Sequence, residues 1–199
     1  MRMSTYRSLY ESSAPAAEPI TLAEAKLHLH VTHSIEDSMI EEMISIARRE
    51  LVAVTCRSFV NTTWVQRMDG FPADDELILA RSPLSSVTSV AYKDSVGSSQ
   101  TLTVTTDYLL DTYTTPGRIY LAPTASWPTT YGEPNDVTIT YVAGYGAAAT
   151  EVPGEYKHLL KLIVGDLYTY RERFAAGETI TELATFVRML MNVKAEFVF

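Results

Sequence analysis

The hydrophobic period of this chain changes twice along its length, and those two changes fix the kinds of element it can build. From a start near Ile35-Glu36-Asp37, Met39, Ile40, Met43, Ile46, Ala47, Leu51 and Val54 recur at three and four, with Glu41, Glu42, Arg48 and Arg49 largely between them. That spacing puts the apolar residues on one helix face. From Ser58 the period drops to two. Short strand candidates follow at Trp64–Met68, Glu76–Ala80, Val87–Tyr92, Thr101–Thr105, Arg118–Leu121 and Val137–Val142, rich in Thr, Val and Tyr and separated by Gly, Pro, Asp and Ser. After Pro153-Gly154 the helical spacing returns, with Tyr156, Leu159, Leu160, Ile163, Val164, Leu167 and Tyr168 on one face.

Two flanking elements complete this pattern. Thr21-Leu-Ala-Glu24 has the spacing of a capping box, followed by Leu22, Ala25 and Leu29 as a short helical stripe. Past the Ala175-Ala-Gly-Glu turn, Leu183, Phe186, Val187, Leu190 and Met191 predict a last helix. No segment between the strands is long and periodic enough for a crossover helix, so the sheet is expected to be mainly antiparallel. The fold class is therefore α+β. Helices at the two ends of the chain, in 20–57 and 151–195, form a helical bundle, with an inserted, mainly antiparallel β region at 58–150. Met39, Met43, Ile46, Leu51, Leu160, Ile163 and Leu167 are its expected core. Residues 1–19, with SSAPAAEP, read as an extended arm, and Glu196–Phe199 as an apolar tail.

Charge narrows the function. The 199 residues carry 16 basic and 24 acidic groups, a net −8. Residues 1–56 hold 5 basic and 8 acidic groups, 57–150 hold 5 and 9, and 151–199 hold 6 and 7. No part is basic, which disfavours a grip on nucleic acid through neutralised phosphates. No apolar run approaches the ~20 residues of a membrane span, and the opening MRMSTYRSLYESS lacks the apolar centre of a signal peptide, so folding in the cytoplasm is expected. A single cysteine, Cys56, excludes an internal disulfide framework.

The motifs that imitate chemistry have plainer readings. Gly144-x-Gly146-x-x-Ala149 follows a strand, but Thr150-Glu-Val-Pro-Gly delays the helix whose first N–H groups would hold a pyrophosphate, so it reads as a turn. In His28-x-His30-x-x-His33 the first two rings lie about 200° apart on a helix, and solvated or helix-terminal histidines are the better reading than a metal site. Asp74-Asp75-Glu76 lies beside the Gly70-Phe71-Pro72 turn and reads as a solvated loop rather than a cation site, and His158 lacks an acid or nucleophile partner in sequence. Cys56 reads as a small buried thiol. No catalytic, cofactor or metal residue is expected. The chain has 12 Tyr against 6 Phe; tyrosine suits both protein interfaces and antiparallel strands, and both readings stand. The apolar Phe197-Val198-Phe199 docks either on the body or on a partner.

Several segments, in order, resemble the head–tail connector (adaptor) proteins of long-tailed bacteriophages and gene-transfer particles. They are ITLAEAKLHL from Ile20, Glu36-Asp37 with the helix ending at Arg57, WVQRMDGFP from Trp64, SPLSSVTSVAYKD from Ser82, PGRIYLAP from Pro116 with the following SWP, VTITYVAGYG from Val137 and VPGEYKHLLKLIVGDLYTYRE from Val152. The resemblance covers roughly residues 20–175. It implies a structural virion protein at the head–tail junction, assembled in the host cytoplasm as a homo-oligomeric ring, commonly a dodecamer, beneath the portal protein. Such a ring extends the channel through which double-stranded DNA passes unbound, and offers a surface to a tail, stopper or tail-completion protein. The resemblance also implies that a C-terminal segment, here Phe197, Val198 and Phe199, docks on the portal. The alternatives are another virion ring component, such as a tail-completion protein, or a small metal-dependent hydrolase using the histidines.

Overall fold

Thr21 opens the first helix in the manner its spacing predicts. Its hydroxyl accepts the Glu24 N–H at 3.1 Å while the Glu24 carboxylate accepts the Thr21 N–H at 2.8 Å, which satisfies two N–H groups that the first turn leaves without partners. A computed structural model describes residues 7–170 of the chain. The first helix, α1, spans Leu22–Leu29 and ends on His30 in a left-handed conformation. The second, α2, spans Asp37–Thr55 and ends on Cys56, also left-handed and half-buried. The third, α3, spans Gly154–Thr169, behind a short 3-10 turn at Ala149–Glu151. Each of the three helices packs against the other two.

Eight strands accompany them. These are β1 Ser8–Glu11, β2 Thr62–Met68, β3 Glu76–Ile78, β4 Leu84–Lys93, β5 Ser99–Leu102, β6 Tyr108–Asp111, β7 Arg118–Leu121 and β8 Val137–Ala143. They form a five-stranded sheet in the order β1-β2-β8-β4-β5 and a three-stranded sheet in the order β3-β7-β6. Every pairing between these strands is antiparallel. The architecture is thus α+β. In β8, Val137, Ile139, Tyr141 and Ala143 are buried and alternate with half-buried Thr138, Thr140 and Val142, as period two requires of a strand with one face in the core.

The core runs from helices to sheet without a break. Phe59, just before β2, meets Tyr156 of α3 with ring centroids 5.2 Å apart, and Tyr156 in turn meets Tyr145 at 5.8 Å. Each such side chain, fully buried, contributes about 1.5–3 kcal/mol. Gln66 is fully buried in β2, where its amide accepts the Ala80 N–H at 3.0 Å and donates to the Ile78 carbonyl at 3.3 Å, tying the large sheet to the end of β3. The segments containing Gly70-Phe71-Pro72 and Ser126-Trp127-Pro128 meet as well: Phe71 stacks on Trp127 at 4.9 Å and meets Tyr92 edge-on at 5.7 Å.

Three expectations need correction. The arm is not wholly free, because Ser8–Glu11 is an edge strand registered on Trp64–Arg67 of β2. β6 has no counterpart among the expected strands. In α2 the inward face is rotated. Ile40, Ile44, Ala47, Arg48, Leu51 and Val52 are buried, whereas Ile46 is 36% exposed and Val54 57%. Apolar residues cover so much of this helix that two phases compete. The inward one buries Arg48, and that burial is tolerable because Glu18 and Glu11 from the N-terminal segment pair with it, the first accepting its Nε–H at 2.9 Å. Leu51, Leu160 and Ile163 are buried, and Met39, Met43 and Leu167 are half-buried.

Candidate interaction surfaces

The residues singled out for chemistry do not assemble into a reactive site. Gly144 leaves β8 with φ 153°, and a methyl group there would lie 2.5 Å from the Asn61 nitrogen, so the glycine serves a close backbone approach. Beside it, the Glu151 carboxylate accepts the Ala148 N–H at 2.9 Å and fills the space over Gly146, where a dinucleotide phosphate would have to sit. The histidines separate. His30 caps α1 on the surface, His33 Nε2 lies 3.7 Å from Glu36, and the His28 ring lies against Gly165 of α3. Burial first, then the positive neighbours Lys161, His158 and His30, lower the His28 pKa. Asp74 and Asp75 are exposed, and Glu76 pairs with Arg118 across β3 and β7. Among the described residues, no group of three or more His, Cys, Asp or Glu is placed to hold a metal ion. No helix among them is long and apolar enough to cross a membrane.

What the molecule does present is exposed apolar side chains on locked turns. Between β4 and β5 the Asp94 carboxylate accepts the N–H groups of Val96 and Ser98 at 3.1 and 2.9 Å, and the Gln100 amide at 2.9 Å. Val96 stands exposed on that turn, and Gly97, with φ 83°, packs on the ring of exposed Tyr131. Between β6 and β7 the Asp111 carboxylate accepts from the Tyr113 and Thr114 N–H groups and from the Thr114 hydroxyl, at 2.9, 3.1 and 2.9 Å. Tyr113 is 98% exposed on this fixed loop. These bonds hold both carboxyl groups below their ordinary pKa, led at Asp94 by Gln100 and at Asp111 by Thr114. Rigid aromatic groups of this kind suit binding, since little entropy is lost when they are covered.

The tyrosines divide by exposure. Tyr10, Tyr113, Tyr131 and Tyr170 are exposed, while Tyr108, Tyr141 and Tyr156 are buried. Tyr141 accepts the Arg81 N–H at 3.1 Å, and burial pushes the Tyr145 hydroxyl up to about 12. On the helices Leu27, Ile46 and Val54 are exposed, as is Ile35 in the turn before α2. The expected docking residues Phe197, Val198 and Phe199 lie outside the described residues, as does the helix expected around Leu183–Met191.

With these surfaces in place, the arrangement of the whole chain can be compared with known structures. It matches a chain from the neck of an empty GTA particle, computed with C6 symmetry, with a TM-score of 0.74 at 21% identity, over 92% of this chain and 94% of that one. The chain shares the fold of that neck chain. A chain of the native gene transfer agent (GTA) virion matches at TM-score 0.72 and 19% identity, over 91% and 93% of the two chains. A chain from the native GTA neck, computed with C12 symmetry, matches at 0.72 and 19%, over 92% and 93%. No protein-family model and no curated protein matches the chain. The shared fold extends nearly end to end on both sides of each comparison, so strands and helices are shared together.

Proposed function

We propose that this chain is a structural, non-enzymatic virion protein: a head–tail connector (adaptor) that forms a ring under the portal, extends the DNA channel and offers the tail its attachment surface. The observation that carries the proposal is the near-complete match to neck chains of gene transfer agent particles. Those necks were computed with C6 and C12 symmetry, which supports a twelve-subunit ring here. A ring closes by rotation through a heterologous contact, so each subunit needs two different faces. Val96, Tyr131 and Tyr113 on the loops of the β region, and Leu27 on α1 with Ile35 in the turn before α2, supply exposed apolar groups in two separate parts of the fold.

In this reading the helices of 20–57 and 151–195 form the ring's bundle, the β insertion at 58–150 faces outward or toward the tail, and Phe197–Phe199 dock on the portal. Assembly takes place in the host cytoplasm. The net charge of −8 suits a conduit, since acidic walls repel phosphate and let the duplex slide. Electron microscopy of the purified protein, alone and mixed with portal, tests the proposal. Rings of twelve, free or seated on the portal, are expected. A monomer that ignores the portal overturns it.

A further inference from the structure

The rotated phase of α2 leaves a second apolar stripe only partly covered among the described residues: Met43 packs against the core, while Ile46 and Val54 stay exposed. Met39, Met43, Ile46 and Val54 fall within about 80° of arc on α2, an arc that also carries exposed Glu50 between the last two, beside the buried arc of Ile40, Ile44, Ala47 and Leu51. Met39 and Met43 are half-buried, and Ile46 and Val54 stand exposed. The stripe is about 22 Å long at 1.5 Å per residue. Ile35, 90% exposed, lies at its beginning.

The end of α3 is fixed at the same place. The Tyr168 hydroxyl donates to the Glu36 carboxylate at 2.6 Å, and Glu36 is the residue before the first turn of α2. The chain therefore leaves the described structure beside the start of the stripe, with Tyr170 exposed at the exit. Beyond Tyr170 the sequence has 29 further residues, and within them Leu183, Phe186, Val187, Leu190 and Met191 repeat at helical spacing. The intervening residues 171–180 reach at most about 33 Å when extended, enough to bring the segment onto either end of the stripe. A helix over 181–191 would be about 16 Å long, commensurate with it.

We propose that residues 181–191 fold back as a helix onto α2 of the same subunit, covering Met39, Met43, Ile46 and Val54. The apolar faces of the two helices then bury each other, and Phe197–Phe199 extend from a segment anchored on the subunit's own body. This deepens the bundle part of the connector reading, on which it rests, and is separable from the ring: rings on the portal test that reading, whereas the position of residues 181–191 is measured inside one subunit.

The test uses the full chain with Cys56→Ser as background, carrying Ile46→Cys together with Val187→Cys. Both positions lie near the middle of their stripes, so they meet whichever way the segment runs. Further pairs of Ile46→Cys with Leu183→Cys and with Leu190→Cys cover a shift of one turn. Mild oxidation is expected to give, for at least one pair, a disulfide within the monomer, seen as a faster band on a non-reducing gel. Cross-linking only between chains overturns the proposal in favour of a second copy as the occupant, and no cross-link from any pair overturns it outright. As a second readout, Leu183→Asp with Leu190→Asp is expected to speed amide exchange in α2 severalfold while leaving β2 and β8 unchanged. Unchanged exchange in α2 counts against the fold-back.

Discussion

Two glycines one and three residues past the end of β8 show how much a single hydrogen can decide. A methyl group on Gly144 would meet backbone, the Asn61 nitrogen at 2.5 Å and the Val60 carbonyl carbon at 2.6 Å, in a conformation with φ 153°. Gly144→Ala is therefore expected to cost at least about 1–3 kcal/mol, read as a lower urea midpoint. At Gly146 the group in the way is the Glu151 carboxylate, the end of a flexible side chain, so Gly146→Ala should cost less in the same measurement. His28 carries the pH dependence at this scale. Its pKa is lowered below 6.5 in the folded chain, first by burial and then by Lys161, His158 and His30. The unfolded chain thus takes up the proton first. Stability is present above about pH 6.5 and falls as the pH drops through the folded value. Urea midpoints at about pH 7.5 and pH 5.5 should differ less in His28→Gln than in the parent chain. Glu24 belongs to a more acid window. Burial opposes its charge, but the Thr21 N–H and Lys157 outweigh it and lower its pKa, so its contribution is lost as the pH falls below 4.5.

Among the elements, α2 shows where a periodic pattern stops being sufficient. Its existence and length were legible from spacing alone. Its phase was not, because apolar residues occupy both the arc of Ile44 and the arc of Ile46, and the observed phase buries Arg48 against Glu18 and Glu11, partners far away in sequence. The observed phase predicts that Ile44→Ala costs about 2–5 kcal/mol, as a buried truncation does. Ile46→Ala should stay within about 1 kcal/mol. Equal losses in a pair of denaturation curves would contradict the rotation. The strands divide in the same way. β8 was legible because seven residues alternate without exception. β6 was not, because four residues with Tyr108 buried and neighbouring Leu109 exposed give too short a pattern among the threonines around it. The capping box was readable to the atom, being local. The exposed surfaces were not, since Tyr113 and Tyr141 are the same residue type with opposite surroundings.

At the scale of the whole molecule, the proposed portal contact separates from the fold. Deleting Glu196–Phe199 is expected to weaken attachment to the portal in a pull-down while leaving the thermal midpoint within a few degrees, because a chain end contributes little to a core. A large fall in the midpoint would show that these residues pack on their own subunit. The sheet has a consequence of another kind. Thr62, at the start of β2, is registered opposite Ala143, at the end of β8, so the chain enters and leaves the β region on adjacent antiparallel strands. Everything between those positions hangs from one doorway. Closing a longer or shorter loop there costs only about 0.6 kcal/mol per doubling of length. The loops beyond the doorway can therefore lengthen or shorten at little cost, whereas the strands whose side chains join the shared core stay tied to the helices. A chimera joined at Thr62 and Ala143 would thus have to carry the core-facing residues of β2, β4 and β8 together with the helices they pack on.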